Sequence, residues 1–572
     1  MAGHLPLYNG NMMPLPDLLD WPENTCSDLD MIEYSKKQFL VVDDFTDFRS
    51  ALTGMLRQMG VDDIDAATSG EEALALCRKK HYDVILHDYN LGKGKNGQQV
   101  LEELHHDRLL SPHCVFIIIS AESSQAMVMA ALECEPDSYL TKPFNLASLQ
   151  QRLDRLITMK SVLRPILEAQ WQEDWSGVLE ACTSIIASHP RYAPHCRRHQ
   201  VAALAALGRR EEQARLLQML ISERPLPWAL VALADLWREN GQLEQAQALY
   251  LDGIRQFPMI PALYDGLAAT ELALGNPEEA QQQLQQGLRI SPHSLRRQER
   301  MGELAQRNHD HEQAARAFRH AVELGRNSLF RNPENHLNLV SNLQAQAGDS
   351  LLGQRVLGEI RQTLGELDRT WRDDPALAVR SRLAQAETLD MAGQPAEARR
   401  LAEQAVAQLA ELEGFFTAPA ALQVAEQLRA LGQAQQADSV LGTCAEMYGD
   451  DPQVMTEIAT RTDDPAILAA GSQALEWNHQ AILLYQQKQF PEALQLFRQA
   501  LASQPRNISF ALNTAQSLLR LLARQPAGES MEQPSAQLKE ECRACLQQAS
   551  HMPASDHRQE RYHKLRERLE AL

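Results

Sequence analysis

Near the N-terminus, side chains that could bind and transfer a phosphoryl group stand at the ends of short apolar runs: Asp43, Asp44, Asp88, Ser120 and Lys142. Carboxylates are hard oxygen ligands that suit Mg²⁺, because this ion keeps room for water and phosphate oxygens. A carboxylate can also attack phosphorus and form an aspartyl phosphate. A hydroxyl and a compact ammonium can each bind a phosphoryl oxygen. We therefore expect Asp43 and Asp44 to hold Mg²⁺, with Asp88 beside it as the phosphoryl acceptor.

The apolar runs that precede these side chains predict β-strands. The continuous run at 39–42 is typical of a strand buried on both faces. The other expected strands are a more polar one at 63–66 and apolar ones at 84–86, 115–119 and 138–141. Amphipathic helices are expected between and after them, at 48–59, 70–80, 98–106, 124–132 and 146–157. This alternation predicts an α/β doubly wound domain with five parallel strands and the functional side chains on one rim.

The order of these motifs resembles that of the response-regulator receiver domain of two-component signalling. The resemblance covers about residues 37–159 and rests on four motifs: Asp43-Asp44, Asp88, Ser120-Ala121 and Lys142-Pro143-Phe144. It implies a flavodoxin-like fold with bound Mg²⁺. It also implies that Asp88 receives its phosphoryl group from a histidine kinase or a phosphotransfer protein.

The same resemblance implies further roles. The backbone carbonyl of Asn90 would bind the metal, and Tyr139 would be the aromatic switch that reorients when Ser120 is drawn to the phosphoryl group. Asn90 and Glu122 would flank that group and tune its lifetime. The chain departs from the family at 91–97, LGKGKNG, where a Met-Pro or similar pair is usual. This loop is Gly-rich, cationic and slightly long, so its geometry is expected to differ.

A second pattern, in the middle of the chain, is a repeat of 33 or 34 residues. Its regularly spaced members are Gly208, Gly241 and Gly275, then Pro225, Pro258 and Pro292, and finally Ala246, Ala280 and Ala314. Each Gly predicts a turn before a helix, at 210–221, 243–256 and 277–290, and each Pro follows the helix. Because it also contains the sequence LGNPEEA at 274–280, this unit resembles the tetratricopeptide repeat. Such stacked helices usually bind protein segments on a concave face.

The repeat becomes irregular further on. Gly348, Gly393 and Gly432 are spaced by 45 and 39 residues, which predicts lengthened hairpins, including helices at 395–409 and 434–444. A regular unit returns at 481–505, 525–534 is expected to be a loop, and 557–572 a charged helix that caps the stack. The expected organisation is a mobile tail at 1–36, a receiver at 37–158, repeats at 159–325, divergent repeats at 326–470 and C-terminal helices at 471–572. Helix 146–157 is expected to continue through 158–165.

Composition limits the possible functions. The chain has 572 residues, enough for several domains, and its net charge of −20 argues against binding to nucleic acid or an anionic membrane. No signal peptide or membrane-spanning run is visible, which predicts a cytoplasmic protein. The nine cysteines are read as free thiols, including Cys542 and Cys545, which have no second ligand pair.

The helical half contains no recognisable catalytic set, so the expected output is protein binding rather than an enzyme activity beyond the receiver's own chemistry. Four arginines either line the binding face or face solvent: Arg296, Arg300, Arg316 and Arg319. One alternative is an adaptor whose receiver serves only for docking or dimerisation, independently of phosphorylation. A nucleic-acid-binding regulator is a second alternative, and an enzyme whose output site has escaped notice is a third. By family resemblance, a homodimer is also compatible with both kinds of domain.

Overall fold

The structure, a computed structural model, describes residues 32–121, 124–347, 353–412, 414–468, 472–523, 535–553 and 556–571. The described residues fall into two compact units, 32–335 and 336–571. Most of the expected tail, 1–31, lies outside the described residues. Its described end forms a short 3₁₀ turn, Tyr34–Lys36, in which Tyr34 is buried and donates a hydrogen bond to Asp154 at 2.8 Å.

The first unit begins with a parallel five-stranded sheet in the order β2-β1-β3-β4-β5. Its strands and helices, in chain order, are β1 (Gln38–Val42), α1 (Thr46–Gln58), β2 (Asp63–Ala67), α2 (Gly70–Cys77), β3 (Val84–Asp88), α3 (Gly97–His106), β4 (Val115–Ser120), α4 (Gln125–Leu132), β5 (Ser138–Thr141) and α5 (Leu146–Trp171). Strands β1, β3 and β4 are buried on both faces, as their apolar runs predict. The predicted doubly wound, flavodoxin-like fold is confirmed.

Helix α5 extends well beyond the sheet. Its first half packs on the sheet through Leu149, Leu153 and Leu156. Its second half packs on the next helices through residues such as Leu163, and Met159 contacts both apolar clusters. The helix therefore continues through 158–165, as the absence of a flexible linker predicts, and it belongs to two cores.

Antiparallel helical hairpins follow α5. The helices are α6 (Trp175–Ser188), α7 (Ala193–Ala206), α8 (Arg210–Glu223), α9 (Pro227–Glu239), α10 (Leu243–Gln256), α11 (Pro261–Leu274), α12 (Pro277–Ile290), α13 (Leu295–Arg307) and α14 (His311–Gly325). Gly208, Gly241 and Gly275 adopt φ of +68°, +77° and +87° at the turns between helices. A residue with a Cβ is strained in this left-handed region, which explains why Gly recurs there. The predicted helical-repeat architecture is confirmed.

The second unit is also helical. Helix α15 (Pro333–Ala347) leads into it, and the remaining helices are α16 (Gln354–Thr370), α17 (Pro375–Met391), α18 (Pro395–Ala410), α19 (Ala418–Ala430), α20 (Ala434–Tyr448), α21 (Pro452–Ala459), α22 (Pro465–Leu468), α23 (Ser472–Gln486), α24 (Phe490–Ser503), α25 (Ile508–Leu522), α26 (Ser535–Ala549) and α27 (Gln559–Glu570). Gly393 and Gly432 again take positive φ at turns. Gly348 and the expected loop 525–534 lie outside the described residues. None of the described helices combines the length and apolarity needed to cross a bilayer.

Candidate functional site

Asp88 ends β3 at the carboxyl rim of the sheet, and its side chain is almost fully buried. One carboxylate oxygen, Oδ1, accepts a hydrogen bond from Lys142 Nζ at 2.7 Å. The other, Oδ2, accepts from the backbone N–H of Asn90 at 3.1 Å. Burial raises the pKa of Asp88 above its ordinary value, although Lys142 opposes the shift. Asp88 is thus a confined carboxylate, held in one orientation by two donors.

Lys142 follows β5 and places its ammonium between two acids. Nζ lies 2.7 Å from Asp88 Oδ1 and 2.7 Å from Asp43 Oδ2. It also lies 3.9 Å from the centre of the Phe48 ring, a cation–π contact. Burial alone would lower the pKa of Lys142, but its hydrogen bonds to the two carboxylates outweigh burial and raise it. The side chain therefore stays charged and bridges the ends of β1 and β3.

The acid pair after β1 splits into a buried and an exposed member. Asp43 is 2% exposed, and its Oδ1 accepts the backbone N–H of Phe45 at 2.8 Å. Asp44 is exposed and lies towards the β3–α3 loop, with Oδ2 3.7 Å from the position of a Cβ added to Gly92. The carboxyl rim of the sheet thus carries three carboxylates, two of which share a single lysine. This excess of negative charge, carried on oxygen donors, fits a hard cation.

Within the described ranges, however, no group of three or more His, Cys, Asp or Glu side chains surrounds a common point as metal ligands would. Lys142 Nζ lies between Asp43 and Asp88, and Asp44 is exposed. The expected Mg²⁺ site therefore remains a prediction based on the types of side chain and their total charge.

Ser120 and Tyr139 lie on neighbouring strands beside Asp88. Ser120 ends β4, is 2% exposed, and its carbonyl accepts the backbone N–H of Lys142 at 2.8 Å. Asp88 pairs in register with Ile119, the residue before Ser120. Tyr139 lies on β5, half-buried, and packs against the apolar cluster beneath α3 and α4. The sheet therefore brings the expected hydroxyl to the same rim as Asp88, with the expected aromatic switch on the adjacent strand.

The residues expected to tune phosphoryl lifetime are only partly described. Asn90 is exposed beside Asp88, and its Oδ1 accepts the backbone N–H of Gly92 at 3.1 Å. Glu122 lies outside the described residues. The loop at 91–97 departs from extended backbone at Gly92 and at Gly94, with φ of +72° and +102°. Glycine adopts these positive φ angles without strain, whereas a residue with a Cβ would be strained at either position.

Two residues that the sequence analysis did not identify, His87 and Gly97, pack against the backbone carbonyl of Asp88. His87 is fully buried, stacks on Phe116 and places Nδ1 2.6 Å from the carbonyl oxygen of Asp88. Burial lowers the pKa of His87 to about 4, so the neutral ring can donate from Nδ1 to that carbonyl. A Cβ on Gly97 would lie 2.8 Å from the same oxygen. The position of Gly97 at the end of a Gly-rich loop was visible in the sequence, but its close approach to Asp88 was not.

Comparison with known proteins agrees with this geometry. The family model for the response regulator receiver domain matches residues 39–154, and the model for the tetratricopeptide repeat matches residues 474–507. The chain therefore carries a receiver domain near its N-terminus and a tetratricopeptide repeat towards its C-terminus. This combination supports a response-regulator function in two-component signalling.

Individual relatives such as the following each cover about a fifth of this chain. Chemotaxis protein CheY-3 of Vibrio cholerae is 29% identical over 119 residues, which are 21% of this chain and 90% of that protein. Chemotaxis protein CheY of Pseudomonas aeruginosa is 25% identical and covers 21% of this chain and 94% of its own. A solved receiver domain of a Pseudomonas aeruginosa sensor histidine kinase, with magnesium in its active-site cleft, is 27% identical and covers 21% of this chain and 98% of that chain, with a TM-score of 0.20.

Proposed function

We propose that Asp88 accepts a phosphoryl group from a histidine kinase or a phosphotransfer protein, and that its phosphorylation controls protein binding by the helical repeats. The observation that carries the proposal is the position of Lys142 Nζ, which lies 2.7 Å from both Asp43 and Asp88 at one rim of the sheet. A structural ion pair needs only one acid, whereas a site that must bind a phosphoryl group and a metal needs several charges together.

The proposed transfer is a nucleophilic displacement at phosphorus. A carboxylate oxygen of Asp88 attacks the phosphorus of a phosphohistidine and forms a P–O bond. The P–N bond breaks, its electron pair goes to the imidazole nitrogen, and Asp88 becomes an acyl phosphate. In this proposal Lys142 and Ser120 bind the phosphoryl oxygens, and the N–H of Asn90, which donates to Asp88 Oδ2, orients the attacking carboxylate.

The residues that would hold Mg²⁺ are Asp43, Asp44 and Asp88, with the backbone carbonyl of Asn90. The ion would supply positive charge to the phosphoryl oxygens when bound. In this structure Lys142 balances only part of the acidic charge, so a cation would relieve the repulsion that remains.

The proposed output is binding of a protein segment by the helical repeats. Stacked hairpins present long surfaces that typically bind polypeptides. We infer that the output is not catalytic, because the sequence of the helical half contains no recognisable catalytic motif. A receiver that only docks or dimerises is the alternative, and the experiment below separates the two functions.

The test is the intact mass of the full chain after incubation with Mg²⁺ and a small phosphodonor. Three proteins are compared: wild type, Asp88→Asn, and the control Asp62→Asn, which changes an exposed acid of the same domain. Wild type and Asp62→Asn should gain one phosphoryl group that hydroxylamine removes, as expected of an acyl phosphate. Asp88→Asn should gain none.

Two results would count against the proposal. Labelling of Asp88→Asn to the wild-type level would mean that another residue is the acceptor. No labelling of any protein, with both an acyl phosphate and a phosphoramidate as donor, would favour the docking-only receiver.

A further inference from the structure

The helical array of the first unit comprises α6 to α14, and its near end is the hairpin α6–α7. The receiver is joined to this near end by helix α5, which the two share. Helix α5 packs in the receiver core through Leu153 and against α6 and α7 through Leu163. Beyond the end of this helix, Arg108 of the receiver pairs with Glu173 at 2.7 Å. Helix α5 therefore tethers the receiver to the first hairpin.

The receiver also contacts the far end of the array, which is the hairpin α13–α14. This contact is made through Arg297 at the start of α13. The Arg297 side chain is 5% exposed, and its Nε and Nη2 donate to Asp265 of α11, each at 2.7 Å. Nη2 also donates to Glu133 of the receiver, at 3.1 Å. Since Glu133 directly follows α4, this buried guanidinium joins two repeat helices to the switch domain.

A second acid of the receiver pairs with a different repeat. Glu135 lies 3.0 Å from Arg198, which is on α7. Glu133 and Glu135 are two residues apart, so their Cα atoms are separated by at most about 7 Å. Helices α7 and α13, with five other helices between them in sequence, therefore both reach one short receiver segment. The acid pair Glu133–Glu135 therefore binds both helices to the receiver, through Arg198 and Arg297.

A third contact begins at the candidate phosphorylation site. The loop at 91–97 starts beside Asp88, and its Gly94 carbonyl accepts a hydrogen bond from Asn327 Nδ2 at 2.8 Å. In return, Lys95 Nζ donates to the carbonyl of Asn327 at 3.0 Å. Asn327 follows α14, so the loop binds the same far end of the array as Arg297 does.

Phosphorylation would change the charge that this loop experiences. Attaching a phosphoryl group to a carboxylate replaces one negative charge by about two. Lys93 and Lys95 lie five and seven residues after Asp88 and are the cations of the loop. Lys95 Nζ pairs with Glu103 at 2.8 Å as well as with the carbonyl of Asn327. The added charge competes with both partners for Lys95, which weakens the contact between loop and array.

We propose that the receiver is an internal clamp: its acid pair Glu133–Glu135 occupies Arg198 and Arg297, and phosphorylation releases the far end of the array so that these arginines bind an acidic segment of a partner. This inference rests on the proposed function, since it needs Asp88 to be phosphorylated. It specifies a partner segment with at least two neighbouring carboxylates, because that is the chemistry of the receiver segment it replaces.

Hydrogen exchange of the full chain, measured by mass spectrometry, tests the clamp. The double variant Glu133→Gln with Glu135→Gln should raise exchange at the start of α13 and in residues 324–331 by about tenfold, the ordinary scale of such coupling. Phosphorylated wild type should show a rise in the same segments. The control Asp62→Asn should not change exchange there.

An acidic peptide tests the proposed partner chemistry. The probe is a fluorescent peptide with the sequence of residues 130–138, AALECEPDS. Its binding to the full chain is followed by fluorescence anisotropy. It should bind phosphorylated wild type and the double variant at least fivefold more tightly than unphosphorylated wild type. Arg198→Gln, which alters a side chain that is 35% exposed, should remove that gain.

The outcomes separate this inference from the proposed function. A phosphoryl adduct on Asp88 without any rise in exchange overturns the clamp and leaves the phosphoryl acceptor in place. Increased exchange without peptide binding overturns the acidic partner. Absence of an adduct overturns the proposed function, and with it the phosphorylation-driven release.

Discussion

Replacing Gly97 by alanine tests the close packing behind the phosphoacceptor. The new Cβ would lie 2.8 Å from the carbonyl oxygen of Asp88 and 3.0 Å from Nδ1 of His87, distances that require something to move. Overpacking of this kind typically costs 1–3 kcal/mol, so we expect the free energy of unfolding of the receiver to fall by about 2 kcal/mol. The matched control is Gly54→Ala in α1, where the added Cβ meets nothing within 4 Å. That substitution should stabilise by about 0.7 kcal/mol, because alanine favours helix over glycine.

The assay is hydrogen exchange of β3 in the full chain, because amides of a core strand exchange only when the domain opens. Gly97→Ala should exchange about 30-fold faster than wild type, and Gly54→Ala about threefold slower, at 1.4 kcal/mol per tenfold change. Labelling of Asp88 should also fall in Gly97→Ala, since its backbone must shift. This account of the packing would be refuted if the β3 amides of Gly97→Ala exchanged at the wild-type rate while those of Gly54→Ala exchanged about threefold more slowly.

Three further predictions concern charge and packing. Lys142→Met leaves two buried carboxylates without their cation and should lower the free energy of unfolding of the receiver by about 3 kcal/mol in urea. Mg²⁺ should restore part of this loss, and the control Lys79→Met, at an exposed lysine, should change the free energy of unfolding little. Because burial raises the pKa of Asp88, its ionised carboxylate lowers the stability of the folded wild type in a way that the neutral amide of Asp88→Asn does not; in metal-free buffer the variant should be the more stable at pH 7, and its advantage should shrink as the pH falls towards 4. Gly266→Ala would overlap the buried Tyr250 ring and should lower protection of α10 and α11 without changing Asp88 labelling.

Much of the fold and the positions of the site residues followed from local pattern. Strands β3 and β4 are apolar runs, and parallel strands place their carboxyl ends at one rim, so Asp88 and Ser120 had to lie near each other. The recurrent glycines were readable because a turn with positive φ strongly favours glycine.

Contacts between distant segments could not be read in this way. Arg296 and Arg300 were singled out as candidates for a binding face, yet both are exposed, and the buried arginine is their neighbour Arg297. Its burial depends on Asp265 and on Glu133, which is 164 positions earlier in the chain. Nothing in the residue type or spacing distinguishes Arg297 from the other arginines on the same helix until its partners are placed.

The shared helix α5 also bears on how this protein can be divided. A cut after residue 158 would remove Met159 from the receiver core and expose Leu163 and Ile166, which are nearly or fully buried, at the base of the first hairpin. Each fragment would then lack part of its own interior. The receiver of this chain is therefore not an interchangeable cassette: its unfolding and that of the first hairpin should form one cooperative transition, and any transplant of the switch must carry the whole of α5 and the helices that cover it.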